Sequence, residues 1–157
     1  MKIKLIQIQD TNEKYLKEGI NEYLKRLKKY AKVDIITIKP IKNAKHLSVD
    51  ELKSKEIEEI KAKIDPRDFV YILDERGDSL KSIDFAKKIE KIAINHPCIT
   101  FVIGGAYGFS DEFRKAVNGM LSLSKMTFSH QLIRVIFLEQ IYRAFSILNG
   151  DPYHNEG

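Results

Sequence analysis

The stretch that decides the fold is Cys98-Ile99-Thr100-Phe101-Val102-Ile103-Gly104-Gly105-Ala106-Tyr107-Gly108. Six apolar or β-branched residues in a row read as a strand buried on both faces, as in a parallel sheet covered by helices. The glycines end it abruptly and leave bare backbone beside the strand end. A second pattern follows downstream. Met120-Leu121-Ser122-Leu123-Ser124 reads as a short strand, opening into the bend Lys125-Met126-Thr127-Phe128-Ser129-His130. Two exposed main-chain loops beside two buried strands make a place where a flat ligand can meet backbone groups, since α/β folds bind outside the carboxyl ends of their strands.

Upstream the same alternation continues. Ile3 to Ile8 reads as a strand, and residues 12–30 as an amphipathic helix on which Tyr15, Leu16, Ile20, Tyr23, Leu24 and Leu27 recur at helical spacing. Val33 to Ile38 is β-branched and closes at Pro40. Ser48, with Glu51 three residues on, forms a capping-box signature for a helix running to about Lys63. Phe69 to Leu73 predicts a strand, with the polar stretch 74–79 as a loop. Ile83 to Ile94 predicts a helix, as do 111–118 and 131–148, with a strand at 120–123. With no repeat and no linker, the expected architecture is one α/β domain spanning residues 1–157, a mostly parallel sheet with helices on both faces.

The last helix is apolar nearly all round, from Leu132 to Leu148. Such a helix is buried on all sides. Either it lies at the centre of a monomer, or part of its surface meets a second copy in a twofold dimer.

Composition narrows the classes. Of 157 residues 43% are hydrophobic, enough for a true core. The charge is modest, 27 basic residues against 22 acidic ones, or +5. Locally it is uneven: Lys25, Arg26, Lys28, Lys29 and Lys32 lie within eight residues that hold no acid. That run reads either as a phosphate-contacting patch or as a solvated helix end whose cations suit the dipole. The lone Cys98 sits in the apolar run as a small core residue and fits a reducing compartment. The charged N-terminal stretch has no signal-peptide core, and no window approaches the ~20 apolar residues of a membrane span. A soluble, cytoplasmic protein is expected.

Several chemistries are poorly matched. No Lys-Ser/Thr pair follows the glycine run, so it is not a nucleotide-triphosphate loop, and the first strand leads into Gln9-Asp10 without the dinucleotide glycines. A tight turn alone would use the same glycines. The histidines His46, His96, His130 and His154 have no metal-ligand spacing, and no Gly-x-Ser-x-Gly elbow is present. The tail is more pointed. Glu139 and Arg143 are one helical turn apart, and Tyr153-His154 place two ring side chains just past Pro152. Exposed aromatics are unusual in a frayed tail, so these pack in a dimer seam or close over a site.

Taken together, Phe101-Val102-Ile103-Gly104-Gly105-x-x-Gly108, Leu121 through Phe128 with His130, Arg134-Val135, Glu139-Gln140-x-Tyr142-Arg143-Ala144 and Pro152-Tyr153-His154 closely resemble the RlmH family of SPOUT-class methyltransferases. The resemblance spans the chain in length and element order, with its specific motifs in residues 69–154. It implies a C-terminal trefoil knot, a homodimer, and S-adenosyl-L-methionine as cofactor. It also implies a substrate, N3 of a pseudouridine in helix 69 of 23S ribosomal RNA, met on the ribosome, with neither membrane nor DNA as partner. Carried over by position, Leu73, Gly104, Leu123, Ser124, Lys125, Met126, Thr127 and Phe128 would hold the cofactor. His154, as base or as orienter of the nucleobase, Tyr153 and Arg143 would serve catalysis. Asn155 stands where the family usually has a basic residue. A non-catalytic RNA- or ribosome-binding module of the same fold is the alternative.

Overall fold

The computed structural model describes Met1–Glu156. Its elements run β1 (Lys2–Ile8), α1 (Lys14–Leu27), β2 (Lys32–Ile38), α2 (Val49–Lys61), β3 (Phe69–Ser79), α3 (Ser82–Asn95), β4 (Cys98–Ile103), α4 (Asp111–Ala116), β5 (Gly119–Ser122) and α5 (Leu132–Leu148). The strands form one five-stranded parallel sheet in the order β2-β1-β4-β3-β5. β4 lies at the centre with all six residues buried, which is why its sequence is unbroken by polar side chains except Thr100.

Alternation along the strands builds two cores. Ile3, Leu5, Tyr71, Ile99, Phe101 and Ile103 face α1, α3 and α5. Ile6, Ile8, Val70, Ile72 and Val102 face α2 and α4, meeting Ile57, Ile60 and Phe113. Phe101 anchors the first, stacked on Tyr71 at 5.6 Å and packed on Phe137 at 4.7 Å. Full burial of such a side chain contributes roughly 1.5–3 kcal/mol. At the amino ends of the strands the buried Asp68 accepts from Lys4 Nζ at 3.0 Å and Thr100 Oγ1 at 2.8 Å, tying β1, β3 and β4 together.

The capping box at Ser48 forms as expected, its hydroxyl accepting from Glu51 N at 3.1 Å. One expectation changes. Instead of ending at Leu73, β3 loops out and pairs again: Leu121 of β5 faces both Leu73 and Asp78, and Ser79 pairs with Ser122. The polar residues 74–79 read as a loop by composition, but β5 offers an unpaired edge whose backbone groups recruit Asp78 and Ser79. Gly77 makes the return possible. A Cβ there would lie 2.5 Å from the Met120 carbonyl carbon and 2.7 Å from Leu121 N.

Candidate active site

At the carboxyl ends of β3, β4 and β5 lies a cleft of about 870 Å³. Leu73, Ile103 and Leu121 form its floor: Ile103 ends β4, Leu121 is next to the end of β5, and Leu73 is the last β3 residue paired with β4. One wall is the glycine loop Gly104-Gly105-Ala106-Tyr107. The other is the bend that contains Leu123, Ser124, Met126, Thr127, Phe128 and His130. Apolar surface is left open there: Met126 is 78% exposed and Tyr107 57%. On a protein of this size such groups waiting at a cleft suit an apolar, flat ligand.

The bend is held by its own side chains. Ser122 Oγ donates to Ser124 O at 3.0 Å, and Ser124 Oγ accepts from Met126 N at 2.9 Å. Thr127 Oγ1 donates to Glu75 Oε2 at 3.1 Å, which ties the bend to the outlooped part of β3. Ser129 Oγ accepts from Leu132 N at 3.0 Å, starting α5. Behind the bend Arg134 is 1% exposed. It donates to His130 O, to Thr11 Oγ1 and to Ile8 O at 3.0, 2.8 and 2.8 Å. A guanidinium in so dry a place is tolerated because its donors are met by oxygens, and the end of β1 is thereby fixed to the start of α5. Burial, with Arg134 nearby, lowers the pKa of His130, which lines the cleft.

The glycine wall is backed by Glu56 of α2, 8% exposed, whose pKa is pushed up by burial. A Cβ on Gly105 would meet Glu56 Oε2 at 2.6 Å, so the absence of a side chain lets the loop close over this carboxyl. Asp74, where β3 begins to loop out, accepts from Arg114 Nε at 2.7 Å and fixes the other flank.

Of the residues expected to hold a cofactor, Leu73, Gly104, Leu123, Ser124, Met126, Thr127 and Phe128 line this one cleft. Lys125 is exposed and does not line it. Sequence reasoning passed over Ile103, Leu121, Glu75 and Ile133, which also line it. The first two were legible as strand ends; Glu75 had no signal, because its place depends on the outlooping of β3.

Arg143, Tyr153 and His154 assemble elsewhere. Arg143 donates to Glu139 Oε1 through Nε at 3.0 Å and Nη2 at 2.5 Å, and its Nη1 lies 3.1 Å from His154 Nδ1. Tyr153 OH donates to the same Glu139 oxygen at 3.2 Å, and its ring lies 4.7 Å beneath the Arg143 guanidinium. Burial, the Tyr23 hydroxyl and the Glu139 carboxylate hold the Tyr153 hydroxyl firmly protonated. Arginine has only donors, so Nδ1 of His154 accepts and the ring's proton sits on Nε2. Ten residues separate Ile133, in the cleft, from Arg143, about 15 Å along α5. The cleft and this tail cluster are therefore two places on one chain.

Among the described residues no group of three or more His, Cys, Asp or Glu is placed to hold a metal ion, and no helix is long and apolar enough to cross a membrane.

Comparison with known proteins agrees with this geometry. A family model described as "Predicted SPOUT methyltransferase" matches residues 1–154. The chain is 48% identical to ribosomal RNA large subunit methyltransferase H of Parabacteroides distasonis, over 99% of this chain and 100% of that one. It is 44% identical to the protein of the same name from Enterococcus faecalis, covering 98% and 99%. Among solved structures, the tRNA (m1G37) methyltransferase of Aquifex aeolicus superposes with a TM-score of 0.54, at 14% identity, over 99% of this chain and 75% of that one. At that identity the likeness speaks to fold alone. By sequence over its full length and by fold, this chain belongs to the RlmH family of SPOUT methyltransferases.

Proposed function

We propose that the chain transfers a methyl group from S-adenosyl-L-methionine to N3 of a pseudouridine in 23S ribosomal RNA, in the helix 69 hairpin, acting as a homodimer on the ribosome in the cytoplasm. The observation that carries the reading is the cleft itself. Its volume falls within the roughly 300–1,000 Å³ of small-molecule sites. Its floor is apolar and its glycine wall, Gly104-Gly105, leaves main chain open, which suits an adenine ring read by backbone groups. Threading of residues 69–154 as a trefoil knot belongs to the same reading, as does the ribosomal substrate that the relatives' names carry.

The residues present fit the cofactor. Leu73, Leu121, Leu123 and Met126 offer apolar surface to a base, and Gly104 and Gly105 allow backbone approach. Glu75, at the cleft edge, supplies negative charge toward a cationic ligand. When bound, the cofactor supplies an electrophilic methyl on a sulfonium; the protein's task is to align the acceptor nitrogen behind it.

That task falls to the tail. Tyr153 offers a ring for stacking, and Arg143, oriented by Glu139, holds phosphate or base. With Nδ1 engaged by Arg143, His154 presents Nε2–H, the group that would donate to a nucleobase carbonyl. The contact favours orientation over proton removal, since the base role needs that Arg143 contact to open first. The distance between tail and cleft supports the homodimer, because a twofold copy can bring one chain's tail to the other's cleft. Half-buried Ile136 and the 36% exposed Leu132 leave apolar surface on α5 for such a seam.

The test is methyl transfer from labelled S-adenosyl-L-methionine to ribosomes lacking the modification, with transfer RNA as control and calorimetry of cofactor binding. Label in 23S RNA is expected. Label in transfer RNA alone would move the substrate, and no measurable cofactor binding would leave the non-catalytic RNA-binding module. His154→Gln, which keeps a donor but no base, is expected to retain more turnover than His154→Ala at unchanged cofactor affinity. Equal losses would assign the proton to His154.

A further inference from the structure

The densest run of positive charge in this protein lies in one corner. Lys25, Arg26, Lys28, Lys29 and Lys32 contribute five of the 27 basic residues, and removing them leaves 22 against 22 acidic ones. All five are exposed, where α1 ends and β2 begins. A sparser acid-free run, Lys39, Lys42 and Lys45, follows β2, whereas α2 mixes Lys53, Lys55 and Lys61 with Asp50, Glu51, Glu56, Glu58 and Glu59.

A helix dipole accounts for cations in the last turn of α1 but not for Lys32, which lies in β2. Nor is the surface a flat solvated face. Lys28, Lys29 and Lys32 rim a concavity of about 680 Å³ that Met1 also lines, closed by Lys32 N donating to Met1 O at 3.0 Å. Arg26 pairs with Glu22 at 2.9 Å and Lys29 with Asp151 at 3.8 Å. Among the described residues Lys25, Lys28 and Lys32 have no carboxylate within salt-bridge distance.

The corner is continuous with the tail cluster. Arg26 lies over the rings of Tyr23 and Tyr142, at 5.5 and 5.8 Å. Tyr142 meets Tyr153 edge-on at 4.7 Å, and Arg143 covers Tyr153. Tyr30 OH donates to Asp151, so the end of α1 is bonded to the segment that delivers Tyr153 and His154. Cations and aromatic rings thus touch in sequence from Lys29 and Tyr30 through Tyr142 and Tyr153 to Arg143 and His154, with Lys32 beside Tyr30 at the rim. Interleaved basic and aromatic side chains are the surface a folded RNA strand meets, phosphates on the cations and unstacked bases on the rings.

We infer that the α1–β2 corner is the phosphate-binding surface for the RNA segment flanking the target nucleotide, with Lys25, Lys28 and Lys32 as its free cations. The inference rests on the ribosomal-RNA reading above and adds the place where that RNA is gripped. The corner neutralises backbone charge and does not read bases, so it acts on substrate affinity and not on chemistry.

The test compares wild type with K25Q/K28Q/K32Q and with K25R/K28R/K32R. Methyl transfer to ribosomes is measured from 50 mM to 200 mM salt, alongside cofactor calorimetry and thermal melting. The glutamine variant is expected to melt and bind cofactor as wild type does. Its KM for ribosomes should rise about tenfold, with kcat little changed. Every phosphate left without its cation should flatten the slope of log kcat/KM against log salt by about 0.7, so about two in all. The arginine variant should restore both. An unchanged KM and slope in the glutamine variant would overturn the inference. If wild type proves to transfer no methyl, the proposed activity fails, but fluorescence anisotropy with a labelled ribosomal RNA hairpin still reads the corner. Weaker binding by the glutamine variant supports it and equal binding overturns it. Loss of binding to phosphatidylglycerol vesicles with RNA binding intact would also overturn it, in favour of a membrane surface.

Discussion

Replacing Gly77 by alanine tests how the outlooped part of β3 rejoins β5. The backbone of Gly77 lies outside the left-handed region, so alanine meets no conformational barrier there. What it meets is main chain. The added Cβ falls 2.5 Å from the Met120 carbonyl carbon, 2.6 Å from its oxygen and 2.7 Å from Leu121 N. Against an ordinary closest approach of 3.4 Å, the shortest of these is deficient by 3.4 − 2.5, or 0.9 Å. No rotamer change relieves a clash between backbone atoms, so β3 and β5 must separate. Overpacking of this kind costs about 1–3 kcal/mol. For a domain of this size each kcal/mol moves the melting temperature by about 2–4 °C, so a fall of about 4–8 °C follows from a cost near 2 kcal/mol.

The displacement also reaches the site. β5 carries Leu121 in the cleft floor, and the chain leaves it for Leu123 and the bend. Gly77→Ala is therefore expected to weaken S-adenosyl-L-methionine binding several-fold in calorimetry. Gly150→Ala is the control. It has φ +72° but open space around its Cβ, so it costs about 1–2 kcal/mol through backbone strain alone and leaves cofactor affinity unchanged. A Gly77→Ala protein that melts within about 1 °C of wild type and binds cofactor equally well would refute the close-approach reasoning.

Arg134→Met removes three hydrogen bonds at once and strands the Ile8 carbonyl in the interior. Orphaned buried acceptors cost about 1–3 kcal/mol each, while relief from burying the guanidinium offsets part of that, so a net loss of about 2–4 kcal/mol is expected from urea unfolding. A variant as stable as wild type would mean the desolvation penalty cancels the bonds. Glu56→Gln works in the opposite direction. The folded state holds the Glu56 proton more tightly than the unfolded chain does, so wild type loses stability as pH rises from about 4.3 through the raised folded value. The glutamine variant is expected to match wild type near pH 4 and exceed it at pH 8; an offset identical at both pH values would show that the carboxyl's charge is not the cause.

The fold was legible where burial is symmetrical. β4 reads as a central strand because both its faces are covered, and an unbroken apolar run is what that environment selects. The start of α2 was legible because the capping box is local chemistry, complete within Ser48 to Glu51. The continuation of β3 was not. Asp74 to Ser79 is polar, and the pairing of Asp78 and Ser79 is imposed by the edge of β5, more than forty residues downstream. The cleft was legible for the same reason as β4, since its floor and glycine wall follow directly from strand ends. Family likeness named the bend residues, but only coordinates show Lys125 outside the lining and Glu75 within it. The basic run was visible as composition; its continuity with Tyr153 and His154 is set by the packing of α1 on α5, which no local pattern carries.

α5 is the element that makes these pieces one device. Phe137, Leu138, Ile141, Ala144 and Phe145 are buried along it, so the helix cannot slide or bend to bring its ends together. Its first turn closes the bend of the cleft through Arg134, and its C-terminal half carries Glu139 and Arg143 with the returning tail. A rigid rod of this kind fixes about 15 Å between the place that suits a cofactor and the place that suits RNA. Chemistry within one chain would need that gap to vanish, whereas the proposed homodimer would close it if two such rods paired so that each tail met the other chain's cleft. In the proposed homodimer the apolar surface left on α5 would determine activity, because a charge placed at Ile136 would separate the copies and with them the two halves of the proposed site. Such a variant is expected to run as a monomer in gel filtration, to keep its cofactor affinity, and to lose methyl transfer altogether. Full turnover by that monomer would show that one chain suffices.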